Sequence, residues 1–362
     1  MKTYQDFLAL GEDEKQRIDF IRQAINEHKS SQAYQLALDA ELYFKGENPT
    51  INRYEKIIYD LQGRAHRDMY TANHKIASSF FGFDVRQEVS YLLGNGVTFQ
   101  EETTKEKLGK KFDLMMVKAA RYALIAGISF GLFNLEHVDV FKLTEFAPLY
   151  DEENGALMAG VRFWQVAEDK PMRATLYEVD GYTDYIQRKG EDMTVLKEKR
   201  PYIQRVRTSP ADGTEIYAGQ NYPSFPIVPL RNGEDALSEL VGKRNTLDAL
   251  DLCTSNMVNN VDEGNLIYWV LQNAGGMNDL DDQKFLDKVR TMHIVHAGSV
   301  EDDGATAEPH TIEAPFQGTD ATINMLKRKL YEDFQAFDSS AVSAGNQTAT
   351  AIEASYTPPY LK

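Results

Sequence analysis

Hydrophobic residues in the first third of the chain recur mostly at helical spacing. Over residues 12–45 this pattern predicts helix, because Ile18, Ile21 and similar residues share one face and few breakers intervene. Residues 51–90 predict a second, irregular helical region, and residues 108–135 predict one or two apolar helices. The amino-terminal part is therefore expected to be mainly helical as far as about residue 135.

A glycine-rich turn interrupts this helical pattern. Tyr91–Leu93 and Val97–Phe99 are apolar runs on either side of Gly94-Asn95-Gly96. Asn-Gly between apolar runs favours a β-hairpin, because both turn positions require positive φ. The glycines lack the G-x-G-x-x-G spacing of a dinucleotide-binding loop, so the sequence predicts a hairpin here.

Residues 136–230 change to short segments that alternate in polarity and are rich in β-branched and aromatic residues. Turn signals such as Asp180-Gly181 and Lys189-Gly190 separate several of them. This pattern predicts an antiparallel sheet. Together with the helices it indicates an α+β fold.

The last third of the chain returns to long helical patterns with short strands between them. Apolar residues from Leu237 to Val261 keep largely to one helical face, which predicts the longest helix, at 236–262. The further predicted elements are strands at 265–272 and 293–296, a short helix at 281–291, an acidic loop at 301–308 and a second long helix at 322–337. A small, polar, nearly uncharged loop follows at 338–351.

The charge balance bears on nucleic-acid binding. The net charge is −16, from 55 acidic and 39 basic residues. This is the wrong sign for a protein that grips DNA by neutralising phosphates, although it allows a protein past which DNA slides. The amino terminus is polar and predicts no signal peptide. The uncharged run Tyr122–Leu135 is shorter than the roughly 20 residues of a membrane span, so it predicts buried core and no membrane association.

Sequence motifs for catalysis are missing. The chain has no Walker-type phosphate loop, no H-E-x-x-H and no G-x-S-x-G, so the sequence predicts neither an enzyme nor a bound cofactor or metal. The single cysteine, Cys253, excludes an internal disulfide, and its apolar neighbours favour a buried structural thiol. Asp279, Asp281 and Asp282 favour a solvated helix start; a metal-dependent nuclease is the alternative.

Several blocks of sequence, in their order and spacing, resemble one protein family. The blocks are Tyr43–Ile51, Asn73–Ile76, Tyr91–Val97, Phe146–Pro148 with Asp151-Glu152, Phe225–Leu230, Ser238–Leu240, Asp248–Asp251 and Gly345–Ala354. With these blocks the chain resembles the portal proteins of long-tailed phages of Gram-positive bacteria over almost its whole length.

The resemblance implies a ring, usually of twelve copies, around a central tunnel. It implies an α+β wing, two long stem helices, a small α/β clip and a tunnel loop. The corresponding residues are 1–232 for the wing, 236–262 and 318–337 for the stem, 263–317 for the clip, 338–351 for the tunnel loop and 352–362 for the start of the following helix. Family members continue into a helical crown, whereas this sequence stops at Lys362; either it is a piece of a longer chain or the protein is unusually short.

Two groups of residues are predicted to line the DNA path. The tunnel loop would present small polar side chains to DNA, with a plain surface linker as the alternative. Its candidate residues are Val342, Ser343, Gly345, Asn346, Gln347 and Thr348. The clip would carry a negative field that repels DNA from the wall, or its charges would only solvate a surface. Its acidic residues are Asp279, Asp281, Asp282, Glu301, Asp302 and Asp303.

The resemblance also implies a function and partners. The ring would conduct double-stranded DNA into and out of a phage head, binding it weakly and without sequence preference. It would dock the terminase motor, the head–tail connector, and the major capsid and scaffold proteins, in the virion and, during assembly, in the host cytoplasm. The alternative is a virion protein, such as a scaffold-associated adaptor, that assembles without conducting DNA.

Overall fold

The computed structural model divides the chain into two compact units. The described residues are 2–11, 13–59, 62–69, 71–208, 215–264, 268–272, 306–310 and 316–338. The first unit takes in the chain up to Pro49, from Ser78 to Leu247 and from Lys329 onward. The second takes in Thr50–Ala77 and Asp248–Arg328.

Helices and strands are both well represented, as an α+β fold requires. The described helices are α1 (Tyr4–Leu8), α2 (Glu14–Ser30), α3 (Gln32–Lys45), α4 (Pro49–Asn52), α5 (Phe80–Leu93), α6 (Glu102–Lys107), α7 (Phe112–Ala126), α8 (Arg244–Gly264) and α9 (Phe316–Phe334), with a 3₁₀ turn at Leu143–Glu145. The described strands are β1 (Ile57–Tyr59), β2 (Ala65–Arg67), β3 (Ile128–Phe133), β4 (Val138–Lys142), β5 (Phe146–Tyr150), β6 (Leu157–Trp164), β7 (Met172–Glu178), β8 (Gly181–Gln187), β9 (Thr194–Arg200), β10 (Ile203–Thr208), β11 (Glu215–Gln220), β12 (Ile227–Arg231), β13 (Tyr268–Gln272) and β14 (Thr306–His310). Among the described helices, none combines the length and apolar character needed to cross a membrane.

A five-stranded antiparallel sheet, β5 to β9 in sequence order, forms one layer of the first unit. Helix α2 begins after Asp13, whose carboxylate accepts a hydrogen bond from the backbone N–H of Gln16 at 3.1 Å. The apolar face of α2 packs on this sheet, where Ile21 and Ile25 share a core with Leu149, Val161 and other strand residues. The predicted antiparallel sheet is confirmed.

A second sheet has the strand order β12-β3-β4, with β3 in the centre. Helix α7 ends at Ala126, and after Gly127 the chain runs directly into β3. The helical prediction for residues 108–135 is therefore wrong from Ile128 onward, and the uncharged run Tyr122–Leu135 is half helix and half strand. Leu124, Phe130 and Leu132 are buried, which confirms the core predicted for this run.

Gly127 allows a close contact that delays the start of α8. Its φ is +87°, and a Cβ at this position would collide with the carbonyl oxygen of Ala236. The backbone N–H of Glu239 donates to Leu124 O at 2.9 Å, so the segment from Ala236 to Glu239 lies against the end of α7. Ala236 itself has a φ of 50°, outside the helical region. The long helix therefore begins at Arg244 and not at residue 236.

Three further local predictions in the amino-terminal part need correction. The predicted helix 12–45 is broken at Ser31, which has a ψ of 148° and caps α3 by accepting from the backbone N–H of Tyr34. Residues 51–90 include a short hairpin, β1-β2, before α5 begins at Phe80. The hairpin predicted around Gly94-Asn95-Gly96 is wrong, because α5 extends through Leu93 and Asp113 binds the backbone N–H of Val97 at 3.1 Å.

Strand β9 forms one edge of the five-stranded sheet, and most of its side chains are exposed. Its pairing with β8 shifts register on both sides of Asp184, where Arg200 forms an ion pair with Asp184. Lys197 and Glu198 are among the exposed residues of this irregular edge.

The carboxy-terminal elements partly match the sequence prediction. In the second unit β13 pairs antiparallel with β14, for example Tyr268 with His310. Residues 306–308 are thus strand and not the predicted acidic loop, while the predicted strand 293–296 lies outside the described residues. The second long helix is present, at Phe316–Phe334.

Candidate functional site

The residues predicted to line the DNA path fall almost entirely outside the described part of the chain. Of the loop 338–351, only Asp338 is described. The remaining candidates, all outside the described residues, are Val342, Ser343, Gly345, Asn346, Gln347, Thr348, Asp279, Asp281, Asp282, Glu301, Asp302 and Asp303. The described segment from Gln335 to Asp338, which we call the loop root, is the nearest part of this site that can be examined.

The loop root leaves α9 by a sharp change of backbone direction. Gln335 has a φ of 54°, and the N–H of Ala336 donates back to Tyr331 O at 3.0 Å. The left-handed conformation closes the helix by satisfying one of its terminal carbonyls. The helix predicted to continue through Phe337 therefore stops at Phe334.

Gln87 on α5 holds the loop root by both ends of its side-chain amide. Its Oε1 accepts from the backbone N–H of Phe337 at 2.8 Å, and its Nε2 donates to Phe337 O at 3.1 Å. The pair spans 250 positions of sequence and is partly buried. A side-chain amide that mimics a strand partner in this way fixes both the position and the orientation of one peptide unit.

An aromatic cluster from α5 and α9 lies next to this pair of hydrogen bonds, which we call the latch. Phe80 contacts Tyr331 at a ring-centroid distance of 5.0 Å and Phe334 at 5.5 Å, and Phe334 is completely buried. Burial raises the pKa of Tyr331, and the charge of Asp338 raises it further, so its phenol stays neutral. The last turn of α9 is thus fixed by tilted and edge-on ring contacts, a favourable geometry for aromatic pairs.

Ion pairs hold the beginning of α8 in the same unit. Arg244 Nη1 lies 2.9 Å from Asp39 Oδ2, and Arg244 Nε donates to the hydroxyl of Tyr43 at 3.2 Å. Lys243 Nζ lies 2.5 Å from Glu239 Oε2 and 4.4 Å from the centre of the Phe334 ring. The start of α8 and the end of α9 are therefore both anchored by side-chain contacts.

In the second unit, a polar stripe of α8 binds the extended segment that contains the Asn73–Ile76 block. Asn259 Oδ1 accepts from the backbone N–H of His74 at 2.6 Å, and Ser255 Oγ accepts from the N–H of Ile76 at 2.9 Å. Ser255 and Asn259 are buried, whereas Val261 is half exposed. The predicted single apolar face of this helix is thus wrong for its second half.

Sequence reasoning missed the residues that make these contacts. Gln87, Arg244 and Asn259 lie in helices whose patterns were interpreted only for apolar faces. The spacing of Asp251, Ser255 and Asn259 at every fourth position is a signal that could have identified a polar inner stripe. Within the part of the chain that the structure describes, no group of three or more His, Cys, Asp or Glu side chains is placed to hold a metal ion.

Comparisons with known proteins give consistent similarities. Residues 23–362 match the family described as "Phage portal protein, SPP1 Gp6-like". The portal protein of Bacillus phage SPP1 is 22% identical over 364 residues, covering 93% of this chain and 66% of that protein. The portal protein of Clostridium phage phiCD119 is 22% identical, covering 90% of this chain and 74% of that protein. This chain thus spans about two thirds to three quarters of the length of these relatives.

A solved structure, described as the neck of a native GTA particle computed with C12 symmetry, covers 78% of this chain at 10% identity. Its TM-score of 0.36 is too low to establish a shared fold.

Proposed function

Because the chain belongs to the SPP1 Gp6-like family of phage portal proteins, we propose that it forms a ring at a phage head vertex and conducts double-stranded DNA during packaging and ejection. The match covers residues 23–362, which includes the second long helix and the loop that follows it. The resemblance implies twelve copies, a wing of about residues 1–232, a stem from α8 and α9, a clip between them and a tunnel loop at 338–351.

The observation that carries this proposal is the latch between Gln87 and Phe337. A loop that contacts moving DNA must be mobile at its tip and fixed at its base, since otherwise force on the tip would unravel the helix before it. The two hydrogen bonds at 2.8 and 3.1 Å, with the aromatic cluster behind them, supply a fixed base. A plain surface linker needs no such fixation.

The proposed partners follow from the family. The ring would dock the terminase motor and later the head–tail connector at the clip, and the capsid and scaffold proteins around the wing. It would be a virion component that assembles in the host cytoplasm.

Electron microscopy of the purified chain tests the ring. We expect closed rings with an open axial hole. A closed assembly without a hole would favour the alternative, a virion adaptor that conducts no DNA. Monomers at all concentrations would contradict both.

Deletion of residues 341–347 tests the loop separately. We expect rings to form normally and DNA packaging to be impaired, because the latch at Phe337 lies outside the deletion. Normal packaging of full-length genomes by this variant would show that the loop plays no part in DNA passage. Failure of ring assembly would show that the segment is structural.

A further inference from the structure

A small basic pocket lies between α3, α7 and the end of β4 in the first unit. It has a volume of about 230 Å³. Its lining consists of Glu41, Phe44, Lys45, Arg121, Tyr122, Ile125, Ala126 and Lys142. Pockets for drug-sized ligands have about 300–1,000 Å³, so this pocket suits one or two side chains.

Several cations gather around one aromatic ring in this pocket. Lys142 lies 5.2 Å from the centre of the Tyr122 ring, and Lys118 and Arg121 each lie 5.5 Å from it. The ring attracts each cation, but the cations repel one another. An anion bound here would relieve that repulsion.

The acid inside the pocket is already engaged. Glu41 Oε2 pairs with Lys142 Nζ at 3.2 Å, and Glu41 Oε1 accepts from the Thr144 hydroxyl at 3.2 Å. Among the described residues, Arg121 and Lys45 have no carboxylate partner. This pocket therefore has a local excess of positive charge, although the whole chain has a net charge of −16.

The shape of the pocket favours a protein side chain over DNA. Duplex DNA carries its phosphates on the outside of a stiff rod, and basic side chains that contact such a rod protrude from the protein surface. Here the basic side chains surround a recess whose wall includes Phe44 and Ile125. That combination fits a segment in which a carboxylate stands next to an apolar side chain.

This chain exposes such a segment at the turn between β6 and β7. Val166 is 83% exposed, and the exposed acids Glu168 and Asp169 follow it. Gln165 Nε2 donates to Lys170 O at 2.8 Å and so closes the turn. A pre-ordered turn loses little conformational entropy on binding, which favours an exposed apolar residue as a docking point.

We propose that in the oligomer the Val166–Asp169 turn of one copy enters the pocket of the next copy, with its carboxylates on Arg121 and Lys45. This rests on the proposed ring, in which the turn of each copy meets the pocket of its neighbour in one head-to-tail contact repeated around the axis. The pocket and the turn both belong to the first unit, so one compact body carries both halves of the contact.

Charge reversal and exchange test the contact in the full-length chain. Arg121→Glu, or Glu168→Lys with Asp169→Lys, should raise the concentration for half-assembly roughly tenfold, since like charges would then face each other. A variant with all three changes should recover assembly in part, because the acid now at position 121 faces the new lysines of the turn while Lys45 still faces like charge. Analytical ultracentrifugation over a concentration series measures this.

Two controls keep the result specific. Lys197→Glu on exposed β9 makes the same change in net charge as Arg121→Glu and should leave assembly unchanged. Thermal unfolding of the monomeric fraction shows whether the variants fold; the turn variant changes only exposed side chains and tests the contact even if Arg121→Glu fails to fold.

Several outcomes would overturn the proposal. Assembly of Arg121→Glu equal to that of Lys197→Glu would refute the contact. A triple variant no better than its components would show that the turn is not the occupant. Loss of binding to a labelled DNA duplex with unchanged assembly would assign the pocket to DNA. In each case rings with an axial hole would leave the proposed function intact, whereas failure of the unmodified chain to form rings would remove both.

Discussion

At the scale of single residues, His28 shows how burial decides the state of an ionisable group. Its side chain is almost fully buried, and its Nε2 lies 2.7 Å from Leu143 O. The rings of Tyr34 and Phe163 lie 5.4 and 6.1 Å away. Burial lowers the pKa of His28, although the hydrogen bond to Leu143 opposes this. The imidazole is therefore neutral at pH 7, with Nε2–H as the donor.

Acid should destabilise the first unit through this residue. The unfolded chain protonates His28 near its ordinary pKa of about 6.5 and the folded chain only at lower pH, so stability falls from about pH 6.5 down to the folded pKa. His28→Gln can keep the donor and removes the titration. Urea unfolding at pH 7.5 and 5.0 should therefore show a smaller acid loss for this variant than for the unmodified chain. His137→Gln, at an exposed position, serves as the control and should keep the full acid loss.

Gln87 is the residue on which the loop root depends. Gln87→Ala removes both hydrogen bonds to Phe337 and leaves its peptide group partly buried without them. The cost should be about 1–3 kcal/mol, or roughly 5- to 150-fold faster exchange of the Phe337 amide hydrogen. Hydrogen exchange measured by mass spectrometry or NMR tests this. Gln100→Ala, an exposed glutamine replacement, should leave that amide unchanged.

At the scale of elements, local pattern predicted what local interactions determine. The segments at 136–230 are antiparallel strands as predicted, because all of them except β12 pair with a strand that is next to them in the sequence. The start of α8 could not be predicted in this way. It depends on Gly127 contacting Ala236, residues more than 100 positions apart, and no periodicity contains that information.

The error at Gly94-Asn95-Gly96 has a similar cause. Gly94 has a helical φ of −60° at the end of α5, and only Gly96 takes positive φ, at 74°. Asp113, well along the chain, then binds the backbone of Val97 that a hairpin would have paired. An Asn-Gly pair indicates only that a hairpin turn is possible. Here the Asp113 carboxylate binds the backbone instead, and no hairpin forms.

The polar stripe of α8 makes a prediction at this scale. Asn259→Ala removes the acceptor for the backbone N–H of His74 in a partly buried site. We expect a loss of about 1–3 kcal/mol in the stability of the second unit, because the N–H loses its partner. Chemical denaturation with a probe in the second unit measures the loss. Asn260→Ala, on the neighbouring position of the same helix, should cost clearly less, and equal losses would contradict the role given to Asn259.

At the scale of the whole molecule, the charge predicts weak contact with DNA. With a net charge of −16, acidic residues outnumber the basic side chains that could neutralise phosphates. We expect free duplex DNA to bind with a Kd above roughly 1 µM at physiological salt and without sequence preference. Fluorescence anisotropy with duplexes of different sequence tests this. A nanomolar affinity for one sequence that resists added salt would contradict it.

The candidate site was predictable in outline and not in its supporting contacts. The position of the loop after a long helix follows from the pattern of Ile323, Leu330 and Phe334, all three buried as expected. The latch does not, because a glutamine in the middle of an amphipathic helix has the same appearance whether it faces water or a backbone 250 positions away. The contacts within 338–351 and 273–305 stay predictions.

The irregular edge strand β9 has a consequence for assembly itself. A straight, apolar edge would offer its unpaired backbone to the same edge of another copy, and copies joined in that way would stack into open-ended fibres. The exposed Lys197 and Glu198 and the shifted register beside Asp184 make such pairing unfavourable. In the proposed ring, copies would thereby be kept from joining through this edge and would meet through side-chain surfaces, which can close on themselves and stop at a finite number.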